Sequence, residues 1–461
     1  MKVEEPTQVR NEHVLDKERK MQLLTCKDCE HVSLFESDEV EKAWAVLLAN
    51  KERTFTIVQF APSVRVTLGE KFGMQSGEDG IGKIVTVLRS MGADLVVDTA
   101  IAEDIVVLSE AKRLKTRRYF GEHTPLFSSK CPKWVAYARE KYEGLDISTL
   151  PSSSAVSGAL LKEYYKKQTG KTVRVISVEP CEEKGNTFGV DASVTVEDFA
   201  DMLMEVEEVG TNVRLLKKQP LDMPFGAASG GGFITEAGGG VSEAVARCLI
   251  ADKSAEALQK FSYSGFYGSK ARREAVLTLG GEEWKFAIVC GCKAADALIE
   301  EMQRGEVYYD YVEVLACENG CISGDGLGFD DEGALEEENV RKLRWQGLKN
   351  LDLGSAVRTA DKSLAATALE KRWELWLQKK AAGLIEDDGE IEPVELTEGW
   401  EEEQPMSGEE GAVEIAVAEG AEAVEETETA EETEVKANGN SYYHTKMVRK
   451  DFRKHKKKKR R

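Results

Sequence analysis

Between residues 53 and 325, short runs rich in β-branched and aromatic residues alternate with stretches whose apolar positions recur at helical spacing. TFTIVQF (54–60), ADLVVDT (93–99), PLFSS (125–129), VRVISV (173–178), KFAIVCG (285–291) and YVEVLA (311–316) read as strands. GKIVTVLRSMG (82–92), SGALLKEYYKKQ (157–168), TVEDFADMLMEV (195–206) and KAADALIEEMQRG (293–305) read as helices, and VSEAVARCLIADKSAEALQKF (241–261) is expected to be helical throughout. This alternation predicts an α/β fold with mainly parallel sheets flanked by helices. One antiparallel hairpin is expected in AVLTLGGEEWKFAIV, turning at Gly280 and Gly281. Beyond 326 the pattern turns helical and charged, through RKLRWQGLKNL and ATALEKRWELWLQKKAAG.

Composition narrows the class. A chain of 461 residues with 41% hydrophobic content has room for two or three domains with ordinary cores. The opening MKVEEPTQVRNEHVLDKERK has no apolar signal region, and no stretch approaches the roughly 20 apolar residues needed to cross a bilayer. A soluble, cytoplasmic protein without a membrane partner is expected. In such a reducing compartment its nine cysteines are metal ligands or buried thiols rather than disulfides.

The net charge of -21 is local, because residues 386–435 hold 21 acidic and no basic residues. That tract cannot bury enough apolar surface to offset chain ordering and is expected to be disordered. The last stretch, MVRKDFRKHKKKKRR, reverses the sign. It either grips nucleic acid or an import receptor, or is a solvated tail folding back on the acidic tract. Nothing else in the chain supports nucleic-acid binding, so the solvated tail is the preferred reading.

The candidate chemistry is positional. VQF runs into APSVR (61–65), PLFSS into KCPKW (130–134), VISV into EPCEEK (179–184) and VEVLA into CENGC (317–321). Loops at the carboxyl ends of parallel strands share one edge, where α/β folds bind ligands. Cys131, Cys181, Cys317 and Cys321 are therefore placed to converge, and four thiolates suit a [4Fe-4S] cubane or a tetrahedral zinc site. Lys184 offers an ammonium beside them. Cys248 is read as core, Cys290 and Cys292 as packing residues alternating along a buried strand, and Cys26, Cys29 and His31 as one half of a metal knuckle whose second half is missing, so no metal is assigned there. The glycines of FGAASGGGFITEAGGG (225–240) are read as letting backbone approach a bulky ligand. Of five histidines only His123 lies in the α/β region, so histidine chemistry is not expected.

SSKCPKW (128–134), PCEEK (180–184) and EVLACENGCISG (313–324), in that order, resemble the three signatures of the [FeFe]-hydrogenases; APSVRVTLGEKFG (61–73) and PFGAASGGGFITEAGGGVSEA (224–244) also look like family segments. The resemblance implies a two-lobed hydrogenase catalytic domain with the cluster in the crevice between the lobes. It implies an H-cluster: a cubane on Cys131, Cys181, Cys317 and Cys321, bridged by Cys321 to a diiron unit with CO, cyanide and a dithiolate. Ala61, Pro62 and Ser63 would line the diiron pocket, Lys184 would bond a cyanide, and Glu110 would relay protons. The implied activity is reversible reduction of protons to dihydrogen, slow or sensory, with ferredoxin or a similar external electron carrier and with hydrogenase maturation proteins as partners. The implied organisation is an N-terminal segment (1–52), the H-cluster domain (53–327), a helical small-subunit-like segment (328–385) and the charged tail (386–461).

Departures from the family pattern are part of the picture. Lys130 stands where the family has a proton-relaying cysteine, and would serve as the relay if desolvation lowered its pKa. Arg113 replaces a second relay glutamate, Glu179 and Leu315 replace methionines, and Thr187 replaces a glutamate. The alternative reading is a non-catalytic hydrogenase-like [4Fe-4S] protein resembling iron-sulfur assembly factors, and a zinc-stabilised interaction protein is a third.

Overall fold

The computed structural model describes residues 38–185, 187–205, 213–279, 281–328 and 334–381, all within one unit of the chain, Met1–Glu395. Cys26, Cys29, His31, the side chain of Lys184 and the tail 386–461 lie outside the described residues.

Among the described residues eight strands form two sheets: β1 Thr54–Phe60, β2 Leu95–Asp98, β3 Leu126–Phe127, β4 Thr172–Glu179, β5 Ala192–Thr195, β6 Arg272–Leu279, β7 Glu282–Cys290 and β8 Tyr311–Leu315. The first sheet, ordered β2-β1-β4-β5, is wholly parallel. The second, β3-β8-β7-β6, is parallel except for the expected β6–β7 hairpin. In the second sheet the two-residue period sorts side chains to two covered faces. Phe286, Ile288 and Tyr311 pack with Val241 and Val245 of the helix Gly240–Leu249, while Ala287, Val289, Val312 and Val314 pack with Trp134 and Leu298.

Three local readings change. The stretch 241–261 is two helices, Gly240–Leu249 and Ala255–Lys260, because Ile250 is extended and Ser254 caps the second, its Oγ accepting from Ala257 N at 3.2 Å. Cys292 does not follow Cys290 along a strand; it begins the helix Cys292–Gln303. The glycines of 225–240 make room for the protein itself rather than for a ligand. A Cβ on Gly232 would strike the carbonyl oxygen of Ala100, and one on Gly230 the carboxylate of Asp352.

The central helix Ala100–Tyr119 buries Glu103, Asp104, Glu110 and Arg117 alongside its apolar residues. The helix Asp38–Leu47 adds Val40, Ala43, Trp44 and Leu47 to the core of the first sheet. At the other end of the described chain, Trp373 and Trp376 of the helix Leu364–Ala381 stack with Phe188 and pack on Ala102, Ile105 and Val106. No helix among the described residues is long and apolar enough to cross a membrane.

Candidate metal centre

The loops after β3, β4 and β8 meet, and Cys131, Cys181, Cys317 and Cys321 all line one small cavity together with Lys130, Lys133 and Pro180. Local sequence explains each placement. Cys131 occupies the N-cap of the helix Pro132–Lys141, where Pro132 suits the first helical position because it has no N–H to leave unpaired. Cys181 follows Pro180 at the end of β4. In CENGC the backbone reverses through Asn319 at φ 61° and Gly320 at φ 89°, so both cysteines of the loop turn to one side. The reversed loop is pinned by Gly238 N donating to Asn319 O at 2.9 Å, and Gly326 N donating to Pro180 O at 3.0 Å ties it to the β4 loop.

Electrostatically the cavity keeps the Cys317 thiol protonated until a cation arrives. Burial first, then Asp325 and Cys131, push the Cys317 thiol up to about 11. A bound cation reverses that preference, because a coordinating thiol is deprotonated outright. Ala316 N–H points at Cys131 Sγ across 3.5 Å, a donor suited to a thiolate. At the rim Lys133 Nζ bridges Asp325 (2.5 Å) and Glu183 (3.2 Å), and these two carboxylates and Cys181 Sγ lie within 4.8 Å of one another. Cys131 and Cys181 are buried and Cys317 and Cys321 half-buried. Four convergent thiols, largely screened from water, fit the donor set of an iron-sulfur cubane. The remaining described cysteines do not join them: Cys248 and Cys290 are buried, Cys290 with Arg273 Nη2 at 3.5 Å from its sulfur, and Cys292 is half-buried.

Behind the cavity Lys130 is buried, and its Nζ donates to Glu103 Oε1 and, at 2.6 Å, to Glu236 Oε1. Glu236 Oε2 accepts from Ser63 Oγ at 2.9 Å, and Glu103 Oε1 from Ser153 Oγ at 2.5 Å. Two carboxylates against one ammonium make Lys130 the centre of a buried ion-paired set. Next to this set Glu179, fully buried, accepts from Ser177 Oγ at 2.6 Å and from Ser154 Oγ. Ser153 and Ser154 open the helix Ser153–Thr169, whose N-terminal dipole favours these anions. Ala61, Pro62 and Ser63 are buried at the end of β1.

Glu110 lies elsewhere along the central helix. Burial pushes its carboxyl up to about 7, opposed by the Ser148 hydroxyl and Arg113 and assisted by Asp146. Ser148 is close, yet neither carboxylate oxygen meets hydrogen-bond geometry among the described residues. Arg113, in the place of the second relay glutamate, bonds Asp146 Oδ1 at 3.2 Å, and Arg117 bonds the other oxygen of the same carboxylate. An acid whose folded pKa is raised contributes stability fully below its unfolded value, near 4.5, and loses it as pH rises through about 7. Glu110→Gln should therefore leave stability at pH 4 nearly unchanged and raise it at pH 8 by on the order of 3 kcal/mol relative to the parent. Chemical denaturation at the two pH values checks this.

Glu103, Glu236 and Ser153 are the site residues that sequence reasoning missed. A signal was present: charged residues at 103, 110 and 117 stand seven apart on one stripe of the central helix, and all three are buried. A larger cavity of about 750 Å³, lined by Arg65, Asp98, Phe225 and Phe233 among others, holds none of the expected site residues, and Arg65 is already paired with Asp79 and Asp98 at 2.6 Å each.

Residues 54–325 match the family model for the iron only hydrogenase large subunit, C-terminal domain. The chain is 30% identical to Iron hydrogenase 1 of Clostridium pasteurianum over 350 residues, covering 72% of this chain and 60% of the relative. It is 26% identical to cytosolic iron-sulfur assembly component 3 of Rattus norvegicus over 391 residues, covering 77% and 79%. The fold matches an [FeFe]-hydrogenase of Chlamydomonas reinhardtii with a TM-score of 0.59 at 23% identity, covering 72% of this chain and 94% of that one. The chain thus spans about 60% of the length of the first of these relatives. On the match over 54–325, the chain belongs to the iron-only hydrogenase family and is a hydrogenase-like iron-sulfur protein.

Proposed function

We propose that the chain carries one [4Fe-4S] cubane on Cys131, Cys181, Cys317 and Cys321 and exchanges single electrons through it with an external carrier such as a ferredoxin. The observation that supports this reading is the convergence of all four thiols on one cavity from three separate strand ends. Bound there, the cluster supplies one-electron redox chemistry. The chain's own residues do the rest. Ala316 N–H faces the Cys131 sulfur, the reversed backbone at Asn319 and Gly320 sets the CENGC thiols, and the Lys133 bridge to Asp325 and Glu183 covers the rim. Cys317 and Cys321 are the less buried pair, so an electron carrier approaches from their side.

Full hydrogenase turnover is the second reading. It is supported by the buried Ala61, Pro62 and Ser63 just past β1 and by the likeness to a clostridial hydrogenase, and under it maturation proteins become partners. The likeness to an assembly component favours the cubane alone.

Anaerobic reconstitution with iron and sulfide should load about four irons per chain. Cys181→Ser or Cys317→Ser should lose most of that iron, and Cys248→Ser, a buried thiol remote from the cavity, should keep it. Equal loss from all three, or zinc in place of iron in the purified protein, overturns the reading.

A further inference from the structure

The diiron half of the implied H-cluster does not fit the residues present. Its pocket wall is assigned to Ala61, Pro62 and Ser63, with Lys130 in the position of the proton-relaying cysteine. Those two positions are joined through one carboxylate: Ser63 Oγ donates to Glu236 Oε2 at 2.9 Å, and Lys130 Nζ donates to Glu236 Oε1 at 2.6 Å. On its other side Lys130 meets Glu103, itself held by Ser153. None of Ser63, Glu103, Lys130 and Glu236 exceeds 7% exposure, so, apart from the edge of Lys130 that lines the cysteine cavity, the set fills interior space. Glu179, in the place of a methionine, adds a third buried carboxylate.

A diiron unit with cyanide ligands is anionic, and here it would have to displace an ion pair and then sit among the buried carboxyl groups of Glu103, Glu179 and Glu236, with Lys130 the ammonium that the described residues place there. Burying that many like charges together is unfavourable whatever the shape of the pocket.

We propose that Lys130, Glu103, Glu236 and Ser63 form an ionic lock that closes the diiron pocket, so that this chain holds the cubane alone. The lock ties four segments together: the loop after β1, the central helix, the loop after β3 and the glycine-rich segment whose Gly238 pairs with the CENGC loop. It does so directly behind the cysteine cavity, where Lys130 is also a lining residue. This rests on the cubane reading, and the test separates the two.

The full chain, reconstituted to a cubane and counted for iron, is incubated with a synthetic diiron complex carrying CO and cyanide, then desalted and examined by infrared spectroscopy. A family hydrogenase loaded under the same conditions is the positive control. The expected result is about four irons per chain and no bands from protein-bound CO or cyanide. A chain that takes up no cubane overturns the earlier reading, whereas a cubane-loaded chain that gains about two further irons and the bands overturns the lock. The wild-type measurement decides by itself. A second variant, Lys130→Cys with Glu103→Ala and Glu236→Gly, removes the charges and opens the space. If it keeps its cubane it should gain the bands that the parent lacks. A cubane-loaded triple variant without bands would show that these side chains are not what excludes the diiron unit.

Discussion

Lys130→Met should lower folding stability by about 3–5 kcal/mol, because it removes the ammonium from a pair of buried carboxylates and leaves both uncompensated. The magnitude follows from where the partners sit: Glu103 and Glu236 are 1% and 0% exposed, so water cannot take over the lost hydrogen bonds. Neutralising the whole set in Lys130→Met with Glu103→Gln and Glu236→Gln should recover most of the loss, since a buried ion pair replaced by neutral groups of similar size is often close to neutral in stability. Lys130→Cys alone should also be destabilising, and should not open a route to dihydrogen evolution, because it removes the cation and leaves the two carboxylates in place. Denaturant titration of the cubane-loaded proteins reads the first two effects. If Lys130→Met changes stability by less than about 1 kcal/mol, the size of an exposed pair, the lysine is not locked.

That lysine also marks how far the sequence could be read. Most strands of the two sheets were visible because a strand buried on both faces is a short apolar run, and TFTIVQF coincides with β1. The four cysteines were visible because each sits just past such a run, where strand ends share an edge. Strand β5 was missed: it is four residues long and passes directly into the helix Val196–Met204, with Thr195 serving both elements. The central helix was missed for a different reason, since its buried charges at Glu103, Asp104, Glu110 and Arg117 blur the apolar period that announces a helix.

Lys130 could be flagged as a departure from one residue alone, but its role could not. Its partners are 27 and 106 positions away, and only the fold brings the central helix and the glycine-rich segment to the loop after β3. The same distance effect explains the glycines: without the packing of that segment on Ala100 and Asp352, room for a ligand and room for the protein itself look alike.

A second large effect is expected at Arg247, which is wholly buried in the helix Gly240–Leu249. Its Nε donates to Glu243 Oε1 at 2.8 Å, and its Nη1 and Nη2 each donate to Asp352 at 2.9 Å. Asp352 belongs to the helix Ala334–Gly354 and also accepts from Arg358, so one guanidinium joins the core of the second sheet to the helical segment that follows it. The planar fork fits this job because it meets a carboxylate with two parallel hydrogen bonds, which a lysine cannot do.

Arg247→Met should lower stability by about 3–5 kcal/mol, and Arg247→Lys should recover only part, keeping the charge and losing the fork. Arg304→Ala, which breaks an exposed pair with Glu306, should change nothing measurable. The structural consequence is as testable as the energy. In Arg247→Met, limited proteolysis should cut first between residues 334 and 363, where the following segment has lost its tie, while the parent resists cleavage there. An unchanged cleavage pattern together with unchanged stability would mean that the apolar contacts of Trp373 and Trp376 hold the segment without the ion pair.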